Sequence, residues 1–161
     1  MRHTISLLVE NKIGVFSRIA TMFSGRGFNI SSISVGETED PSISRITIVT
    51  TGDDAIVEQI NKQLNKLIDI IKVVDLTFEN FVERELLLAK VVADPRNRSE
   101  IMQIADVFRA RVVDMSSKTL TLEATGTHAK IQAIVAMLKP HGIQAMARTG
   151  SVALKRELKD K

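Results

Sequence analysis

ENKIGVFSRIATMFSGRGFNI, residues 10–30, joins two apolar runs through a Gly-containing turn, a short helix and a Gly-Arg-Gly break. Val15, Phe16, Ile19, Ala20, Met22 and Phe23 recur at helical spacing over 14–24. Gly25 and Gly27 end that helix. TISLLV (4–9) before it and FNISSISVG (28–36) after it are strand-like. The stretch is therefore the helical link of a β-α-β unit. Within its second strand, Phe28 and Ile30 fall on even positions, while Ile33 and Val35 fall on odd ones. A bulge near Ser31–Ser32 would bring all four to one face.

Outward from this unit the pattern completes itself. ETEDPS is a turn, ISRITIVTT (43–51) a strand, and GDD caps a helix carrying Ile56, Ile60, Leu64 and Leu67. DIIKVVDLTF (69–78) is a strand. The order β-α-β-β-α-β then repeats: a strand over 84–93, a helix over 97–110 and two strands over 111–117 and 118–125. A helix over 126–142 is stopped by Pro140 and Gly142, and a single last strand runs over 143–154. The fold class is α+β, two tandem ferredoxin-like βαββαβ domains over 1–78 and 79–161. Each sheet has helices on one face and should be polar on the other. Leu7, Val9, Ile46, Ile48, Ile70 and Ile71 leave few clearly polar positions in the first sheet. That surplus points to a partner on a bare face or edge, most simply a second copy of the chain.

Composition excludes several classes. In 161 residues there is no cysteine, so there is no disulfide, thiolate nucleophile or Cys-ligated metal. The N-terminal apolar run is broken by Glu10 and is no signal peptide. No run approaches the ~20 residues of a membrane span. A cytoplasmic protein without membrane association is expected. The net charge of +3 is not concentrated in a nucleic-acid-binding face. Residues 1–78 hold 8 Lys/Arg against 9 Asp/Glu, and much of the basic excess lies in the terminal KRELKDK.

The inventory of reactive groups is poor. His3, His128 and His141 have no metal-ligand spacing and read as surface imidazoles. No nucleophile elbow, phosphate loop or dinucleotide fingerprint occurs. RNA-recognition domains share the element order, but they stack bases on aromatics of the central strands. ISRITIVTT has none. An acylphosphatase-like reading can use Gly14, Val15, Arg18 and Asn29. Asn29 follows Arg18 too closely for that family, and Lys12-Ile13 replaces its Gln-Gly lead-in.

The turn before the helix supports a binding reading. The first amides of a helix lack internal partners and, with the helix dipole, favour an anion. Gly14 allows close approach to the backbone. Asn11 and Asn29 each offer a donor and an acceptor. Together these groups could hold a zwitterion, its carboxylate on the amides and its ammonium on oxygens. The bland alternative makes Asn11 a turn residue or N-cap and Asn29 a left-handed residue after Gly27.

Asn11-x-x-Gly14-Val15 followed by Gly27-Phe28-Asn29-Ile30 resembles the ACT domain, an amino-acid-sensing module. Over nearly its whole length, through KQLNKLIDIIKVVDL, VERELLLAKV and ARTGSVALKR, the chain resembles the small regulatory subunits of acetohydroxyacid synthase, also called acetolactate synthase. The resemblance implies a non-catalytic chain without a cofactor of its own. Its partner would be a catalytic large subunit carrying thiamine diphosphate, FAD and magnesium, which condenses two pyruvates, or pyruvate with 2-oxobutyrate, in branched-chain amino-acid synthesis. It also implies a homodimer through the ACT domains, activation of the large subunit, and feedback inhibition by valine bound at the dimer interface. Carried onto this chain, the effector site comprises side-chain contacts from Asn11 and Asn29. Gly14, Val15 and Ile30 supply backbone contacts and apolar walls. Two residues depart from the ACT pattern: Ile13 stands where many members have proline, and Phe16 where leucine is common. Phe16 is expected to face the core. A third reading, an ACT sensor of another amino-acid pathway, shares these residues.

Overall fold

A computed structural model describes residues 1–157. The chain divides into two compact units, Met1–Val82 with the segment beginning at Gly150, and Glu83–Thr149. This division lies a few residues beyond the expected joint at 78/79, and the C-terminal segment counts with the first unit.

The first unit contains β1 (Arg2–Glu10), α1 (Val15–Gly25), β2 (Ile30–Glu37), β3 (Ile43–Thr51), α2 (Asp54–Leu64) and β4 (Ile70–Asp75). Its antiparallel sheet has the order β2-β3-β1-β4. In the second unit, β5 (Phe81–Val92), α3 (Arg98–Val107), β6 (Arg111–Met115), β7 (Thr119–Gly126), α4 (His128–Leu138) and β8 (Ile143–Arg148) repeat the order as β6-β7-β5-β8. Both are ferredoxin-like α+β folds. Among the described residues no helix is long and apolar enough to cross a membrane.

Local chemistry accounts for these elements. The Asp53 carboxylate accepts from the Ile56 amide at 2.9 Å and caps α2. Thr127 caps α4 in the same way. Gly27, with φ +69°, turns the chain out of α1. The β2–β3 register shifts between Ile30 and Ser32, so the expected bulge is present. Ile30, Ile33 and Val35 thereby share the face of Ile46 and Ile48.

Register also dissolves the apolar surplus. Leu7 pairs with Ile46 and Ile5 with Ile48, and cross-strand partners point to one face. These four side chains, with Val9, pack on Val15, Ile19 and Phe23 of α1 and on Val57, Ile60 and Leu64 of α2. The helix-free face carries Thr4, Ser6, Leu8, Arg45, Thr47, Val49 and Lys72, and it is mostly polar. Two helix phases differ from expectation. Phe16 is 49% exposed and Ile56 faces outward, while Val15 and Val57 enter the core. In each adjacent apolar pair only one residue can face the sheet.

The expected last strand over 143–154 is interrupted. The Thr149 amide donates to the Leu86 carbonyl and its hydroxyl accepts from the Leu86 amide, which ends β8. The chain then turns and forms β9 (Val152–Lys155), after which the Arg156 amide donates to the Asn80 carbonyl at 2.7 Å. The returning segment lies on the helix-free face of the first sheet, where the Arg2 guanidinium donates to the Ser151 hydroxyl at 2.9 Å. Leu154 and Lys155 line a cleft there with Ser6, Leu8, Arg45, Lys72 and Val74. Gly150 is pressed against β2. A Cβ at Gly150 would stand 2.9 Å from the Ile33 carbonyl oxygen and 2.9 Å from the Ser34 hydroxyl. Gly150→Ala should therefore cost about 1–3 kcal/mol, read as a lower urea midpoint of the full chain. Gly36→Ala, with open space around it, should differ little from the parent. Equal midpoints for the two variants would contradict the close approach.

The histidines also differ from the surface reading. His3 is fully buried, with Nε2 3.2 Å from the Gly52 carbonyl and Nδ1 3.2 Å from the Thr77 hydroxyl. A carbonyl only accepts, so Nε2 carries a proton. His128 Nδ1 donates to buried Glu85 at 2.8 Å, and Arg148 donates to the other carboxylate oxygen at 2.5 Å. His141 is mostly buried beside Asn97 and Glu100.

Candidate functional site

β1 ends at Glu10, and the next four residues form the turn into α1. The Asn11 amide donates to the Ser42 carbonyl at 2.7 Å, and the Lys12 amide to the Glu10 carbonyl at 3.0 Å. Gly14 then adopts φ +87°, ψ −8°, a left-handed conformation that glycine takes without a Cβ penalty. It occupies the N-cap position with no side-chain cap. Asn11 is thus not the N-cap. Its side-chain amide instead donates to the Glu37 carboxylate at 3.1 Å and to the Pro41 carbonyl at 2.9 Å.

Among the described residues, the amides of Gly14, Phe16 and Ser17 have no backbone acceptor. They are the unpartnered donors of a helix start, and they can accept an anion. Val15 is buried in the core and offers backbone at this point, not an apolar wall. An open cleft of about 420 Å³ runs along α1 past Gly14, Ser17, Arg18, Thr21, Met22 and Leu67. Arg18, which a phosphate-binding reading would need, has two donors on Asp69 at 2.8 and 2.5 Å.

Asn29 lies elsewhere. Its carbonyl accepts from the Thr50 hydroxyl, and its exposed side chain makes no hydrogen bond among the described residues. Among the described residues Arg109 is the only non-glycine residue at positive φ, so Asn29 is not left-handed. Ile30 is half-buried against the core and pairs with Thr50. Asn11 stands beside Ser42, at the other end of β3. At ~3.3 Å per strand residue, the two asparagines of one chain are about 26 Å apart. One protomer does not bring them together.

The strand between these two ends has one neighbour. β2 pairs only with β3 and is an edge strand. Ser31, Val35, Gly36 and Glu37 on it are exposed. Sequence reasoning missed Glu37 as the holder of Asn11 and Asp69 as the partner of Arg18. The two pairs span 26 and 51 residues and leave no local signal. Among the described residues no group of three or more His, Asp or Glu side chains is arranged to hold a metal ion.

A family model described as the small subunit of acetolactate synthase matches residues 84–157. One described as an AHAS small subunit-like ACT domain matches residues 5–72. The chain is 51% identical over 156 residues to a probable acetolactate synthase small subunit of Archaeoglobus fulgidus, with 97% of this chain and 98% of that one covered. It is 51% identical over 158 residues to an acetolactate synthase small subunit of Aquifex aeolicus, with 98% and 82% covered. A crystal structure of an acetolactate synthase small subunit from Thermotoga maritima superposes with a TM-score of 0.88 at 42% identity, covering 98% of this chain and 99% of that one.

Proposed function

Because this chain belongs to the acetolactate synthase small-subunit family, we propose that it is the non-catalytic regulatory subunit of that enzyme and a sensor of valine. It binds the catalytic large subunit, which carries the thiamine diphosphate, FAD and magnesium and performs the condensation. The small subunit raises that activity and, with valine bound, lowers it.

The placement of the two asparagines on either side of a free edge carries this reading. A two-fold axis at the middle of β2 would pair this strand with its copy, antiparallel, into one continuous sheet. The Ile30 end of one strand then meets the Glu37 end of the other. Glu37 holds Asn11, so Asn29 of one copy comes to the Asn11–Gly14 turn of its mate. The unpartnered amides take the carboxylate of the amino acid, and Asn29 with the Ile30 backbone takes its ammonium. The branched side chain lies between the two copies. Each charge-assisted contact is worth about 1.5–3 kcal/mol, so losing one weakens binding about ten- to a hundredfold. Valine changes the activity of the large subunit only if it binds one orientation or rigidity of the paired domains better than another.

Complementation between copies tests this. Asn11→Ala and Asn29→Ala should each weaken valine binding about ten- to a hundredfold by calorimetry, so that neither saturates at concentrations that fill the wild-type sites. Unfolded together and refolded as a mixture, they should regain about a quarter of the wild-type sites, because half the dimers are mixed and each mixed dimer rebuilds one site. A mixture as silent as its components, with mixed dimers demonstrably formed, would reject a site shared between copies. Full-strength binding by either variant alone would reject those side chains as contacts. Capture of the large subunit by the full chain tests the partnership separately.

A further inference from the structure

We propose that the Arg18–Asp69 ion pair positions the effector turn, holding Gly14 and the free amides of α1 in the form that receives the ligand; this rests on the amino-acid-sensing reading above. Neither residue is among those proposed above to contact the amino acid. Asp69 is 8% exposed and sits just before β4. Its carbonyl accepts from the Glu10 amide at 2.9 Å and so fixes the last residue of β1. Its Oδ2 accepts from both Nε and Nη2 of Arg18, in the first turns of α1. The rest of the guanidinium lies against Gly14, where an added Cβ would stand 3.0 Å from Nη1.

These contacts close a ring: end of β1, left-handed turn, start of α1, start of β4. A surface ion pair between flexible side chains does not form such a ring. Here the carboxylate is buried, its own backbone anchors one side of the turn, and its side chain anchors the other. The guanidinium covers Gly14 on the side where a Cβ would stand.

The experiment uses the full chain and three variants: Arg18→Met, Arg18→Lys and Asp69→Asn. Two quantities are read: amide hydrogen exchange without ligand, and valine affinity. Exchange at Glu10 and Val15, whose amides are bonded inside the ring, should quicken about tenfold in Arg18→Met and Asp69→Asn, while Ile46 and Ile48 in the core keep their protection. Valine binding should weaken about tenfold in both variants, with partial rescue in Arg18→Lys, which keeps the charge and one donor. Unchanged exchange in the turn overturns the proposal. So does exchange rising equally in turn and core, which would mark general destabilisation. Rescue absent in Arg18→Lys, with Met and Lys equally loosened, also overturns it. If the parent chain bound no branched-chain amino acid, the sensing reading would fall, and the exchange data would still decide whether the pair holds the turn.

Discussion

Gly14→Val is expected to remove saturable valine binding and to lower the melting temperature of the chain by about 5–10 °C. The backbone at Gly14, φ +87°, costs an L-residue about 1–2 kcal/mol. A β-branched side chain adds to that cost. The new Cβ would also meet the Arg18 guanidinium at 3.0 Å, so the side chain must displace Arg18 from Asp69 or turn the backbone. Either way the amides of Phe16 and Ser17 lose their direction. At ~4–8 °C per kcal/mol for a domain of this size, the backbone term alone accounts for the shift. Calorimetric titration of Gly14→Val with valine checks the binding, and a thermal melt checks the stability. A variant that melts lower yet binds valine as the parent does would place the ligand away from this turn.

Glu85→Ala should destabilise the chain by about 3 kcal/mol. Glu85 is 3% exposed and accepts from His128 and Arg148. Removing one partner of a buried charge pair leaves the other uncompensated, which costs ~3–5 kcal/mol. Arg148 keeps some access to water, which puts the loss near the lower end. Glu85→Gln keeps one acceptor oxygen, enough for His128 or Arg148 but not for both, and should cost less than Glu85→Ala. Urea denaturation of the full chain reads these differences. Valine affinity should stay at the parent value, since the site proposed above contains none of these three residues. A loss below about 0.5 kcal/mol for Glu85→Ala would mean that the cluster behaves like an exposed pair.

Much of the fold was written in local signals. The parity break between Ile30 and Ile33 announced the bulge, Asp53 announced the start of α2, and Gly25 with Gly27 announced the end of α1. Helix phase was less legible. Val15 beside Phe16, and Ile56 beside Val57, are adjacent apolar pairs, and periodicity over a short helix does not say which member faces the sheet. The burial of His3 left no trace in its neighbours, because Thr77 and Gly52 come from other turns. The site was half legible. Gly14 and the amides after it follow from the helix start. The pairing of Asn11 with Asn29 inside one chain does not survive the topology: β1 runs to one end of the sheet, α1 returns to the other, and β2 starts there. Opposite ends are the rule for any β-α-β unit whose strands lie antiparallel to the helix between them. The spacing of the asparagines alone did not show this, whereas the resemblance to the ACT family already implied a ligand at a dimer interface, and strand direction gives the physical reason.

The segment that returns over the helix-free face of the first sheet sets an order of events during synthesis. Thr4, Ser6 and Thr47 are buried in the folded chain, yet Gly150 and Ser151 leave the ribosome a hundred residues after the last strand-forming residue of β3. Throughout that interval the nascent domain must present this face to water. A face of leucine and valine would be an adhesive surface on every translating ribosome. Hydroxyls, Arg45 and Lys72 keep it wetted until its cover arrives. The polar alternation of these strands thus serves the growing polypeptide as well as the finished one.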